Sequence, residues 1–375
     1  MFGPATGHNI RPFLDFFSNH SEYRLSLVYS GNNDIENNNL STINYFKLSK
    51  SLLVIFQLIK KIRQTEGIIW HQGGYNTFEL LLTYLFKKRK TLFIINVWGE
   101  HVPNIAKTKT LQGRMFKFFY KKCDIISCLW YGTKKILDDF IEPKKVVVLL
   151  WGLENTYFSE EEQELKDFTR NFINEIPKDK TTFFYPKSFT ESSNHDGIID
   201  AARILKNRGV DNFVVYFWTG NITRGGYEQT AKDKIKANNL DENIKIVYHD
   251  FLPFYDIIQI WKSMNVGLQI VKNDQLSTTF LEPLILKKEM LVSDIYPYQK
   301  ITEHYPKLNL HLTINKPEVL ADEMNELING KRTSATTLEN RKKIIEKEFN
   351  FEKNIQKMLD FYQELILTSR YKKDE

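Results

Sequence analysis

Short β-rich runs alternate with helical patterns along nearly the whole chain, and few folds accommodate that rhythm. It predicts parallel sheets with helices on both faces. In the first half, strands are expected at residues 24–29, 67–70, 91–98, 124–129 and 145–150, with helices at 78–86, 114–123 and 133–140. Residues 31–40 are Asn-rich and read as a loop. The rhythm breaks after Trp151-Gly152, and residues 159–180 read as a connection without strands. A second series follows, with strands at 181–185, 212–218, 244–247, 266–271 and 290–293. Its helices are expected at 197–207, 229–238, 254–261, 279–286, 318–328 and 338–348. The last helix, 351–367, places Ile355, Met358, Leu359, Tyr362 and Leu365 on one face. The expectation is an α/β chain of two Rossmann-like, doubly wound parallel-sheet domains across a cleft. Such sheets bind ligands beyond the carboxyl ends of their strands.

Composition narrows the class. The 375 residues include 27 Phe, 18 Tyr and 6 Trp, which a disordered chain would not carry. Lys and Arg number 52 against 46 Asp and Glu, a net +6. That mild excess suits phosphates, anionic lipid or acidic sugars and falls short of a nucleic-acid binder. The only cysteines, Cys123 and Cys128, exclude a disulfide scaffold and a four-cysteine zinc site, and they suit a reducing compartment. No apolar run approaches the roughly 20 residues of a spanning helix. The N-terminus has neither a basic region nor an apolar core, so no signal peptide is expected and the cytoplasm is the default location.

The most specific spacing is Asp274-Gln-Leu-Ser-Thr-Thr-Phe-Leu-Glu282, which follows a strand and enters a helix. Backbone N–H groups, hydroxyls and the helix dipole at Ser277, Thr278 and Thr279 make a natural cradle for a diphosphate. Glu282, one turn inside, is placed to accept hydrogen bonds from a ribose diol. The same residues also read as an ordinary helix cap and a solvated glutamate. His71 ends a strand, on the face where ligands are expected.

These segments, in their order, resemble the GT-B glycosyltransferases of the large retaining family four, also called group 1, over nearly the full length. Asp274 and Glu282 match the family's Glu-x7-Glu pair, and residues 282–294 resemble the stretch after it. Residues 151–155 are similar to the segment leading into the donor domain, and residues 194–202 to that domain's first helix. Residues 349–355 resemble the helix that returns to the N-terminal domain. The resemblance implies an N-terminal acceptor-side domain at 1–152, a linker and nucleotide-sugar donor domain at 153–349, and a returning helix at 350–375.

The likeness further implies residue roles. Lys187 stands at the position of a diphosphate-binding Arg, while the accompanying Lys position falls near Ser193. One point charge thus replaces a bidentate fork plus an ammonium, with Arg224 as a compensating charge. Trp98 occupies the slot of a family His that touches the transferred sugar, and Glu100 matches the acid of a Trp-Gly-acidic branch. His101 and His71 accompany it as catalytic candidates beside Asp274 and Glu282. Residues 3–11 resemble the loop after the first strand, with Gly7 allowing close approach to the donor and His8 on the acceptor side. The strand before that loop is almost missing, so either the true start lies upstream or the sheet begins short.

Basic residues cluster beside apolar helices in the first half, at Lys60, Arg63, Lys87 to Lys90, Lys121 and Lys122. They read as a solvated rim or as a docking face for anionic bilayer or a lipid diphosphate acceptor. There is no Gly-x-Ser-x-Gly elbow, Walker A loop or His-Glu-x-x-His. Asp138-Asp139 lies mid-helix, a poor Mg-diphosphate site, so neither a cofactor nor a metal is expected. The implied function is retaining, metal-independent transfer of a hexosyl group from a nucleotide-diphosphate sugar to a lipid-linked or polysaccharide acceptor. The usual setting is bacterial lipopolysaccharide or capsule assembly, at the cytoplasmic face of the membrane, without nucleic acid. The alternatives are a non-catalytic GT-B-like sugar-nucleotide or glycan binder and a nucleotide-sugar epimerase on the same fold.

Overall fold

The computed structural model describes residues 11–20, 26–29, 44–47, 52–72, 76–97, 102–220, 226–249, 252–274 and 276–371. Two compact units share the chain. One is Met1–Trp151 with Phe351–Glu375, and the other is Gly152–Asn350.

The first unit carries β1 (Ser26–Tyr29) and β2 (Asn44–Lys47), paired in parallel, and β3 (Ile68–Gln72), β4 (Leu92–Val97), β5 (Ile125–Cys128) and β6 (Val146–Val148). These last four form a parallel sheet in sequence order. β4 is buried throughout, which explains its uninterrupted apolar run. Its side chains alternate between two cores. Phe93, Ile95 and Val97 face Leu80, Phe116, Phe119 and Tyr120. Leu92 and Ile94 join Phe13, Phe16 and the apolar stripe Phe351, Ile355, Met358, Leu359 and Tyr362 of the helix Phe351–Tyr371. Phe13 sits at the centre of that second core, edge-on to Trp70, Phe351 and Trp151 at 5.0, 5.0 and 4.9 Å. Asn76 opens the helix Thr77–Phe86 by accepting from the Phe78 and Glu79 amides, and it donates in return to Glu79 Oε1 at 2.7 Å. Both cysteines are free and buried, and burial pushes the Cys128 thiol up to about 12.

The second unit holds β7 (Thr181–Tyr185), β8 (Phe213–Gly220), β9 (Ile244–His249), β10 (Val266–Gln269), β11 (Glu289–Ser293) and β12 (Leu312–Thr313). All are parallel, in the order β12-β11-β10-β7-β8-β9. Counted along this unit the order is 3-2-1-4-5-6, the Rossmann arrangement, with its switch point between β7 and β10. Where the unit begins and ends, Leu153 N donates to Phe349 O at 2.8 Å, and a Cβ on Gly152 would lie 2.1 Å from that carbonyl oxygen. Only glycine allows so close an approach.

Some expected elements differ. The connection at 159–180 contains a helix, Asp167–Glu175, whose Phe172 packs against Trp218 at 4.9 Å. The helices Arg11–Asn19 and Tyr296–His304 and the strands β2 and β12 were not anticipated. β12 has two residues, too few for a periodic signal.

Candidate active site at the switch point of the second unit

Gln269 ends β10, and two residues beyond β7 comes Lys187. The chain leaves β10, passes Asp274 and enters the helix Thr278–Ile285 through Ser277. Strand order alone therefore brings these residues to one place. Lys187 Nζ donates to Asp274 Oδ2 at 3.2 Å and to Ser277 Oγ at 2.9 Å. Ser277 Oγ donates to Asp274 Oδ2 at 2.8 Å and lies 2.9 Å from Thr279 Oγ1. Ser277 holds the N-cap position, yet its hydroxyl makes no cap bond and is spent on this cluster. Thr278 is exposed. Leu276, just before the cap, has φ 67°, a left-handed conformation that costs a bulky side chain about 1–2 kcal/mol.

Glu282 corrects one expectation: it is buried, not solvated. Tyr157 O–H donates to Oε1 at 2.9 Å and Trp261 Nε1 to Oε2 at 2.7 Å. Each oxygen retains a second acceptor position. Burial raises the carboxyl pKa, opposed by these two bonds and by the Lys187 charge. Gly267 in β10 makes room for Trp261, since a Cβ there would meet its ring at 3.0 Å.

The loop carrying Lys187 has its own support. His195 stacks on Phe189 at 4.1 Å, edge-on to Tyr185 and Phe217, and hydrogen-bonds the Lys187 backbone. Burial holds its imidazole at about 3, hence neutral. Ser193, at the position of the absent second cation, is buried; its hydroxyl lies 2.7 Å from Thr190 Oγ1 and its carbonyl accepts from Tyr185 O–H.

In the first unit His71 is the last residue but one of β3. It is buried, with Nε2 2.9 Å from Thr83 Oγ1 and its ring edge-on to Phe93. Burial drives its pKa down to about 3, so its imidazole is neutral. Gly7, His8, Trp98, Glu100, His101 and Arg224 lie outside the described residues. Sequence spacing did not point to Tyr157, Trp261, Gln269 or Tyr298, all of which contact the acidic pair.

An ammonium beside a helix N-terminus, with a carboxylate holding it, is a ready anion site in a Rossmann sheet. The fold is that of the GT-B class, an α/β chain with two Rossmann-like parallel sheets. Residues 167–351 match the family Glycosyl transferases group 1. The chain is similar in fold to the Anabaena protein Alr3699/HepE, solved in complex with UDP. The TM-score is 0.77 at 11% identity, covering 97% of this chain and 98% of that one. A glycosyltransferase from Rickettsia africae superposes at TM-score 0.73 with 16% identity, over 98% and 97% of the two chains. WaaG, a glycosyltransferase involved in lipopolysaccharide biosynthesis, does so at 0.64 with 11% identity, over 95% and 96%. No curated protein sequence matches the chain.

Proposed function

We propose that the chain transfers a hexosyl group from a nucleotide-diphosphate sugar to an acceptor hydroxyl, with retention of configuration and without a metal ion. The observation that carries the reading is the Lys187–Asp274–Ser277 cluster at the switch point of the part of the chain that matches the group 1 glycosyltransferases. An incoming diphosphate would draw Lys187 from Asp274 and take the amides at Ser277–Thr279. Asp274 would then orient the sugar, and Glu282 would use its second acceptor positions on the ribose. Resemblance to the retaining family supports the step itself. The bond from the anomeric carbon to the β-phosphate oxygen breaks, the acceptor oxygen attaches on the same face, and its proton passes to the departing phosphate. Catalysis rests on positioning and on charge stabilisation at the diphosphate.

The acceptor is proposed to be lipid-linked and reached at an anionic membrane surface. In the first unit the helices Leu52–Gln64, Thr77–Phe86 and Leu111–Lys122 pack side by side. Leu53, Phe56, Leu85 and Phe118 are exposed on them. Residues 52–90 and 111–122 carry eleven Lys and Arg against Glu66 and Glu79 alone. Exposed apolar residues among excess positive charge suit an interfacial helix face. No helix among the described residues is long and apolar enough to cross a membrane. Co-sedimentation with phosphatidylglycerol vesicles should be salt-sensitive and should weaken several-fold in Phe56→Ser.

A thermal-shift panel of UDP-, GDP-, dTDP- and CMP-sugars tests the donor reading, and the UDP-bound HepE neighbour puts UDP-sugars first. A ligand at about 100-fold over Kd adds roughly 2.7 kcal/mol to the folded state. Glu282→Ala should abolish that shift and turnover together, and EDTA should change neither. Binding without turnover across acceptors would favour the non-catalytic reading, and no shift with any donor would sink the assignment.

A further inference from the structure

Two fully buried polar side chains hold the acidic centre of the switch-point cluster. Gln269 closes β10, and Tyr298 lies in the helix Tyr296–His304. Tyr298 donates its phenolic proton to Asp274 Oδ2 at 2.6 Å and accepts from Gln269 Nε2 at 2.6 Å. Gln269 Nε2 also reaches Asp274 Oδ2 and, at 3.1 Å, Ser277 Oγ. An amide nitrogen carries two protons, so these three contacts share them. Thr279 Oγ1 closes the ring by donating to Gln269 Oε1 at 3.4 Å. The Tyr298 ring stacks on Phe280, 4.8 Å away at 16°, in the helix whose first residues are Thr278 and Thr279. Burying an amide and a phenol so deeply is costly unless both are bonded, and apolar residues would fill the space more cheaply. Here both polar ends converge on one carboxylate oxygen, which Lys187 also meets.

We propose that Gln269 and Tyr298 are positioning residues for donor turnover. They fix the Asp274 carboxylate beyond the carboxyl ends of β7 and β10. The inference rests on the sugar-transfer reading above. Donors reach Asp274 from β10, from the loop after β7 and from the helix Tyr296–His304, so the carboxylate is oriented before any ligand arrives. Preorganisation of this kind acts on the chemical step more than on binding. Among the described residues, the charged and titratable groups around Asp274 include Lys187, Tyr185 and Tyr298, and the Lys187 charge acts on Glu282 in turn. Both tyrosines stay protonated, because burial first and the Asp274 charge second push them well above their ordinary range.

Tyr298→Phe removes one hydrogen bond and keeps the ring on Phe280. Turnover is read as release of nucleoside diphosphate from UDP-, GDP- and dTDP-sugars across pH, with melting temperature as the check on folding. The expected variant melts near wild type and keeps its donor KM within about threefold. Its kcat falls about tenfold or more, and the acidic limb of its profile moves up by about half a pH unit or more, since a carboxylate that loses a donor is easier to protonate. Gln269→Leu should do the same, and it carries the test if Tyr298→Phe fails to fold. A folded variant with wild-type kcat and an unmoved limb overturns the proposal, as does a loss confined to KM. A wild-type chain that turns over, beside variants that turn over equally, overturns this inference alone. A wild-type chain that binds no donor overturns the sugar-transfer reading and this inference together.

Discussion

Three buried titratable side chains give the protein a pH signature that can be worked out residue by residue. His71 and His195, one in each unit, are held at about 3 by burial, against 6.5 for a free imidazole. Below about pH 6.5 the unfolded chain binds protons that the folded chain refuses. Each unit should therefore lose about 1.4 kcal/mol per pH unit from its histidine as pH falls from about 6.5 toward 3. Urea midpoints at pH 7.5 and 5.5 will show the slope, and His195→Gln should remove one of the two contributions. Glu79 runs the other way. Burial lifts its pKa from 4.5 to about 7, partly opposed by the Asn76 hydrogen bond. The folded chain keeps that proton where the unfolded chain releases it, so stability declines as pH rises across this window. Glu79→Gln retains an acceptor for Asn76 and should be more stable than wild type by about 1–2 kcal/mol at pH 8. Near pH 4 the two should be equal. Glu282 needs a gentler probe than alanine, because truncation also strands the buried Tyr157 and Trp261 donors. Glu282→Gln should keep the fold and still weaken donor binding, which calorimetry separates from melting temperature.

At the scale of elements, two glycines decide how closely chain segments approach. Gly152→Ala would drive a Cβ into the Phe349 carbonyl, which is backbone and has little room to move. The parallel bridge between Leu153 and Asn350 would be disturbed, and a loss of about 2–4 kcal/mol is expected in denaturant titrations. Gly267→Ala is milder in space, at 3.0 Å from the Trp261 ring, but Trp261 carries the hydrogen bond to Glu282. Its effect should therefore appear in donor affinity before it appears in stability. Most elements were legible from periodicity alone. β7 falls on the expected residues 181–185, and the helix Thr278–Ile285 differs from its expected span by one residue. The helix Tyr296–His304 escaped, and with it Tyr298, because its nine residues include Pro297 and only Tyr298 and Ile301 turn inward.

At the scale of the whole molecule, the last helix belongs to the first unit although nearly 200 residues separate them in the chain. Phe351, Ile355, Met358, Leu359 and Tyr362 are buried against Phe13, Trp70 and Ile94. At about 1.5–3 kcal/mol for each buried side chain, their removal is comparable to the 5–15 kcal/mol that holds a typical domain together. A chain ending at residue 350 should lose the calorimetric transition of the first unit and keep that of the second, whose residues are continuous.

The sequence by itself determined the α/β class, the break near Trp151-Gly152, and the Asp274, Ser277 and Glu282 spacing. All three are local patterns, readable from hydrophobic period and from neighbours within a turn or two. The tertiary structure decided what those residues meet. Strand order placed β7 beside β10 and so carried Lys187 to Asp274, 87 positions away. Tyr157 reaches Glu282 across 125 positions, and Tyr298 reaches Asp274 across 24. Contacts of this kind follow from which strands lie side by side, and period and spacing along one segment carry no record of that order.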